Sequence, residues 1–93
     1  FVKRPWMKKV KITAQLENAA PGIDAHLKIN VNGNDGSDET KTGSGYATVV
    51  SSYDSSGLTN GTLYEILIYE KTNIGMGGEE AHMKYPVIEW SVA

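Results

Sequence analysis

Apolar and polar residues alternate one by one along much of this chain. In KVKITAQLEN, Val10, Ile12, Ala14 and Leu16 fall on one face, and Lys11, Thr13, Gln15 and Glu17 on the other. A period of two marks a strand with one buried face. AHLKINVN repeats it, with Ala25, Leu27, Ile29 and Val31 inward and His26, Lys28, Asn30 and Asn32 outward. Between the two, Pro21 fixes φ and Gly22 permits a reversal, so NAAPGID reads as a turn. Residues 32–45, NGNDGSDETKTGSG, are too polar for a core face and predict a loop, with at most a short edge strand at DETKT. GYATVVSSY resumes the strand pattern and DSSGLTNG turns again. TLYEILIYEK is apolar on both faces in its middle, which predicts a central strand. TNIGMGGEEAHMK reads as a second long Gly-rich loop, and YPVIEWSV as a closing strand with Ile88, Trp90 and Val92 on one face. Pro86 cannot donate to a ladder, so it marks a strand start or an edge. No segment carries a 3.6-residue repeat. The expected fold is all-β: one antiparallel sandwich of seven strands, within a range of six to eight.

Composition agrees with one small globular domain: 93 residues, 40% hydrophobic and 22% charged. No apolar run approaches the ~18 residues that span a bilayer as a helix. The chain has no cysteine, so disulfides and thiolate sites are unavailable. Charge changes the picture more. Lys3, Arg4, Lys8, Lys9 and Lys11 are five of the nine basic residues, and residues 12–93 hold four Lys against all eleven carboxylates. A basic arm, residues 1–9, therefore precedes an acidic sandwich domain, residues 10–93. Such an arm suits an acidic neighbour, including a second copy of the same protein. Nucleic acid is disfavoured, since the body repels phosphate and no aromatic–basic platform accompanies the arm. Because the chain opens on Phe1, the expectation is a processed, trimmed or tagged terminus, with Met7 as the alternative start.

The order of strand, NAAPGIDA, strand, KTGSGYATV, GLTNGTLYEILIYEK and closing strand resembles prealbumin-like sandwiches, the transthyretin family and the Cna-B modules of bacterial adhesins and pili. The resemblance covers the chain from Val10 onward and implies a fold more than an activity. In transthyretin-related hydrolases the first-strand catalytic His would fall at Ala14, and their C-terminal Tyr-Arg-Gly-Ser is replaced by EWSVA. In Cna-B modules a carboxylate resembling Glu70 promotes a Lys–Asn isopeptide, but Ala14 stands where the Lys would be, with Lys11 on the opposite face. LTNGTLY resembles the tyrosine corner of fibronectin type III domains, with Leu58, Gly61, Thr62 and Tyr64 in place. YEKTNIGMGGEEA with PVIEWSVA resembles the C-terminal part of copper–zinc superoxide dismutases, yet Tyr69 stands where a ligating His would be. The resemblances together imply an immunoglobulin-like or prealbumin-like sandwich without inherited chemistry.

Candidate sites are few. The arm supplies Phe1 and Trp6 as anchors and Lys3, Arg4, Lys8 and Lys9 as charges for a protein partner, itself or another assembly subunit. Asn32, Asn34, Asp35, Asp38 and Glu39 offer hard oxygens for Ca²⁺ in one stretch, without EF-hand spacing. A plain polar turn is the better reading of them. His26 and His82 are the two histidines and suggest no dyad. GMGGEE lacks the Lys-Ser/Thr of a phosphate loop. Asn60-Gly61-Thr62 is a glycosylation sequon if the source is a secretory eukaryote. The expectation is a non-catalytic, cofactor-free structural or interaction module of a surface, filament or virion-type assembly, extracellular, on a cell surface or in a virion. A carbohydrate- or Ca²⁺-binding module using residues 32–39 is the alternative, and a degenerate enzyme-like sandwich comes third.

Overall fold

The computed structural model describes residues 1–18, 24–42, 45–72 and 81–92. The expected Pro21–Gly22 turn and residues 73–80 of the expected Gly-rich loop 72–84 lie outside the described residues. Among those described there are six strands and no helix: β1 (Lys9–Asn18), β2 (Ala25–Val31), β3 (Asn34–Lys41), β4 (Ala47–Asp54), β5 (Ile66–Thr72) and β6 (Ala81–Ser91). They form two antiparallel three-stranded sheets, β4-β1-β6 and β3-β2-β5, in a β-sandwich-like arrangement. The central strands are the two with the cleanest alternation. Val10, Ile12, Ala14 and Leu16 of β1 and Ala25, Leu27, Ile29 and Val31 of β2 are all buried and form the core with Val49. Burial of one face of each sheet against the other supplies the main driving force for the fold.

Three expectations need correction. The run 32–45 is not simply a loop, because β3 occupies Asn34–Lys41. Asn32 and Gly33 both take positive φ, 52° and 84°, the pattern of a two-residue type I′ turn whose twist matches the strands it joins. That turn carries the pairing from Val31↔Asn34 up to Ala25↔Lys41, although the β3 sequence is polar. TLYEILIYEK is not central either. Its strand β5 pairs only with β2 among the described residues and forms an edge of its sheet. Finally, the expected loop 72–84 does not hold at its ends, because Thr72 belongs to β5 and Ala81–Lys84 to β6; the six described strands fall within the expected six to eight.

The two sheets meet closely along one side, where β3 passes β4. The ladder between β2 and β3 shifts register between Lys28↔Asp38 and Asn30↔Asp35, so Gly36 and Ser37 lie opposite Ile29. The Ile29 amide turns to the other sheet and donates to Ser51 Oγ at 3.0 Å. That hydroxyl donates in turn to the Ser37 carbonyl, and the Ser52 amide donates to Ser37 Oγ at 3.0 Å. Ser51 is wholly buried, so water cannot replace these bonds. Ser51→Ala is expected to cost about 2 kcal/mol, since it leaves a buried amide and carbonyl unsatisfied. Urea unfolding checks this, and a change below ~0.5 kcal/mol would mean that the seam holds without the hydroxyl.

The opposite side carries β5 and β6, which do not pair with each other. One end of it is closed by the N-terminal residues. Val2 forms an antiparallel bridge with Leu63, with Tyr64 N–H donating to the Phe1 carbonyl at 2.8 Å and Phe1 N donating to the Tyr64 carbonyl at 2.9 Å. Lys3 N–H donates to the Thr62 carbonyl at 3.0 Å, and Gly61 N–H to that of Lys3 at 2.8 Å. Residues 1–3 thus lie along the chain's own 61–64 segment.

Candidate functional site

Two surfaces carry features that the core does not use. The first is the open side. On β6, Ile88 stands opposite Ile12 and so shares its face, yet Ile88 is 44% exposed where Ile12 is 0%. Tyr85, Val87 and Val92 of the same strand or its end are exposed, as are Leu63, Leu67 and Tyr69 leading into and along β5. Single exposed apolar residues are ordinary; here they recur along two neighbouring edges. The β6 edge is irregular. Its ladder with β1 shifts between Thr13↔Val87 and Gln15↔Lys84, which leaves Tyr85 and Pro86 opposite Ala14. Tyr85 takes φ 53°, and Pro86 offers no amide.

The second surface is the outer face of β3-β2-β5. Alternation points His26, Lys28 and Asn30 away from the core, beside Asp35 and Asp38 of β3 and Tyr69 of β5. These six, with Glu70, line a cavity of about 340 Å³. By register Glu70 falls on the Leu27 side of the sheet; an edge-strand residue has no flanking strand on one side and is reachable from both faces. Asn30 lies on this outer face, as its place in the alternation requires, yet is buried there. Its amide donates to Asp35 Oδ1 at 2.8 Å and its carbonyl accepts from Gly33 N–H at 3.0 Å, which ties the turn to the strand. Lys28 Nζ donates to Asp35 Oδ2 at 3.0 Å and lies 5.7 Å from the centre of the Tyr69 ring. The bond from Asn30, then that from Lys28, holds the Asp35 carboxyl below its usual range, and Asp35 raises Lys28. Asp35 is exposed and Lys28 half-buried, so water screens the pair and its contribution to stability is small.

His26 Nδ1 lies 3.1 Å from Asp38 Oδ1 and 3.4 Å from Thr40 Oγ1. A nucleophile relay needs its acid and its hydroxyl on opposite ring nitrogens, whereas here both approach the same one. In the other sheet His82 Nδ1 lies 3.2 Å from Glu17 Oε1, so each histidine meets a different carboxylate. Among the described residues, no three His, Cys, Asp or Glu side chains converge as a metal-binding group. Of the five residues expected for Ca²⁺, Asp35 and Asp38 turn to β2 partners, Asn32 stands in the turn, and Asn34 and Glu39 lie on β3.

The arm residues divide. Lys3 is 1% exposed, and its Nζ donates to the Arg4 carbonyl at 2.9 Å and to Asn60 Oδ1 at 3.1 Å. The Phe1 ring lies 4.5 Å from that of Trp90 and 5.9 Å from that of Tyr64. Phe1 and Lys3 are thus engaged within the chain, while Arg4, Trp6, Lys8 and Lys9 are exposed. Tyr64 Oη accepts from the Thr59 amide at 3.0 Å, and this bond lowers the phenol below its usual range.

Among the described residues, Glu70 is a carboxyl that desolvation pushes up, with His82 opposing more weakly. A raised folded pKa favours the native state while the group is protonated. That contribution is lost as pH rises through the raised value. Glu70→Gln is therefore expected to raise the melting temperature at pH 7 and to leave it unchanged near pH 3. A gain that is equal at both pH values would remove the charge as its cause.

No family model, curated protein or solved structure matches the chain.

Proposed function

We propose that this chain is a non-catalytic β-sandwich interaction module of a surface, filament or virion-type assembly, and that it engages a protein neighbour along its open β5/β6 side. The observation that carries this reading is Ile88, which shares the face of buried Ile12 yet is 44% exposed. A core face left uncovered at an unpaired edge invites another chain to complete it. The basic arm takes a smaller part than its composition suggests, because Phe1 and Lys3 serve the chain's own fold. Arg4, Trp6, Lys8 and Lys9 remain for a partner. Residue-resolved hydrogen exchange in dilute monomer tests the reading. The amides of Ile66, Ile68, Glu70 and Ile88 should exchange far faster than those of β1. Protection equal to β1 would mean that this side is already closed.

The cavity beneath His26, Lys28 and Tyr69 favours a second reading, a small polar ligand such as a saccharide. Lys28 pairs with Asp35 and His26 meets Asp38, so a neutral ligand offering donors and acceptors fits without breaking these contacts, and Tyr69 supplies a ring face. Titration with mono- and disaccharides should shift the Lys28 and Tyr69 amide resonances; no shift up to tens of millimolar removes it. Melting with Ca²⁺ against chelator tests the cation in the same way, because a ligand for the native state must raise the midpoint.

A further inference from the structure

The interaction-module reading leaves the partner open, and resting on that reading we infer that β5 is the docking edge and that its occupant is β5 of a second copy, paired antiparallel about a two-fold axis at Ile68. The other edges are less available. β3 and β4 face each other across the seam, and β6 carries a Pro and a bulge at its middle, both of which obstruct strand addition. β5 has neither device. Its register with β2 runs unbroken from Ala25↔Thr72 to Val31↔Ile66.

The backbone fixes which groups face outward. The Glu65 carbonyl accepts from Asn32 N–H at 2.9 Å, so Glu65 points toward the β2 side. Backbone polar groups alternate sides along a strand, so Ile66, Ile68 and Glu70 present theirs to the free edge. Tyr64 has the same parity, and its two groups are taken by Phe1. The free run therefore begins at Ile66 and ends with β5 at Thr72.

Within that run, EILIYEK is self-complementary. With the axis at Ile68, Glu65 stands opposite Lys71 and Leu67 opposite Tyr69, each twice, and Ile68 meets its own copy. Ile66, Ile68 and Glu70 then meet outward-facing groups, giving about six backbone hydrogen bonds. Neighbouring registers are worse. An axis at Leu67 would place Glu70 opposite Tyr64, which Phe1 already pairs. An axis at Tyr69 would set Lys71 against Leu67 and leave Glu65 without its cation. An axis between residues would oppose outward-facing groups to inward-facing ones. Ile66 opposite Glu70 is the single ill-matched pair. The product is a continuous sheet in the order β3-β2-β5-β5-β2-β3.

Sedimentation velocity across a concentration series tests this, with circular dichroism confirming that each variant is folded. The wild-type chain is expected to dimerise. Glu65→Lys and Lys71→Glu should each weaken the dimer about tenfold, because each creates two like-charge pairs across the axis. The double variant, and an equimolar mixture of the two single variants, should recover the wild-type affinity. Glu70→Gln should tighten the dimer. A chain that stays monomeric at every concentration overturns the second copy, while rapid edge exchange in the dilute monomer would leave the module reading standing. A dimer that is indifferent to both charge reversals and to their mixing overturns β5 as its edge.

Discussion

Gly36→Ala is expected to destabilise the fold by about 3 kcal/mol, at the upper end of overpacking costs. Gly36 is not in a left-handed conformation, so the reason is space. A Cβ there would lie 2.4 Å from the Ser52 carbonyl oxygen and 2.6 Å from Ile29 Cγ2. The first neighbour is backbone of the opposite sheet and the second a buried core residue, so neither can step aside without parting the seam. The loss in chain entropy on Gly→Ala normally favours the folded state by roughly 0.4–1 kcal/mol, which is too little to offset this. Urea unfolding should show a lower midpoint, and the melting temperature should fall by roughly 12–24 °C for a domain of this size. Gly57 has open space around it, so Gly57→Ala serves as the control and should be neutral or slightly stabilising. If the two variants melt alike, the sheets leave room for a methyl group at the seam.

The second large effect is expected from the N-terminal residues. Removing Phe1–Arg4 takes away the backbone bonds of Phe1 and Lys3 with residues 61–64, worth about 0.5–1.5 kcal/mol each, and uncovers Trp90 and Tyr64. Ordering these residues costs about 1–2 kcal/mol apiece in backbone entropy, which offsets much of the bonding, so the loss rests on the uncovered aromatic packing and should appear as a lower melting temperature. Point variants separate the causes. Phe1→Ala should cost about 2 kcal/mol through lost aromatic packing. Lys3→Met keeps the buried stem and deletes the ammonium, and should cost less than Lys3→Ala, because the bonds of Nζ to Arg4 and Asn60 mainly offset its desolvation. If Met proves as damaging as Ala, the ammonium itself is what holds the segment. Loss of the Phe1–Tyr64 pair would also free one more position on the β5 edge, so the truncated chain should associate in more than one register.

Some of the fold was legible residue by residue. The inward sets of β1 and β2 follow from alternation alone, and all eight residues are buried. The bond of Tyr64 back to Thr59 was legible in LTNGTLY. The extent of β3 had a signal too: Asn32-Gly33 is a strong two-residue hairpin turn, masked by the polarity of NDGSDETK. The β3 side chains are satisfied across the strand by Lys28, Asn30 and His26 instead of by a core. Lys3 could not be read in this way. A lysine in a basic run looks like solvated charge, and only the carbonyl of Arg4 and the carboxamide of Asn60 make its burial tolerable.

The sequence by itself determined that the chain is all-β, which faces of β1 and β2 turn inward, and where several of its turns fall. These are properties of neighbours along the chain, set by side-chain period and by the φ that Gly, Asn and Pro allow. Tertiary structure alone decided that β5 is an edge, that Gly36 and Ser51 form the seam, and that Phe1 and Lys3 close one end. Apolarity on both faces of TLYEILIYEK is shared by a strand with two partners and by an edge awaiting one. Which of the two it is depends on strand order, and strand order is set by contacts between residues distant in the chain.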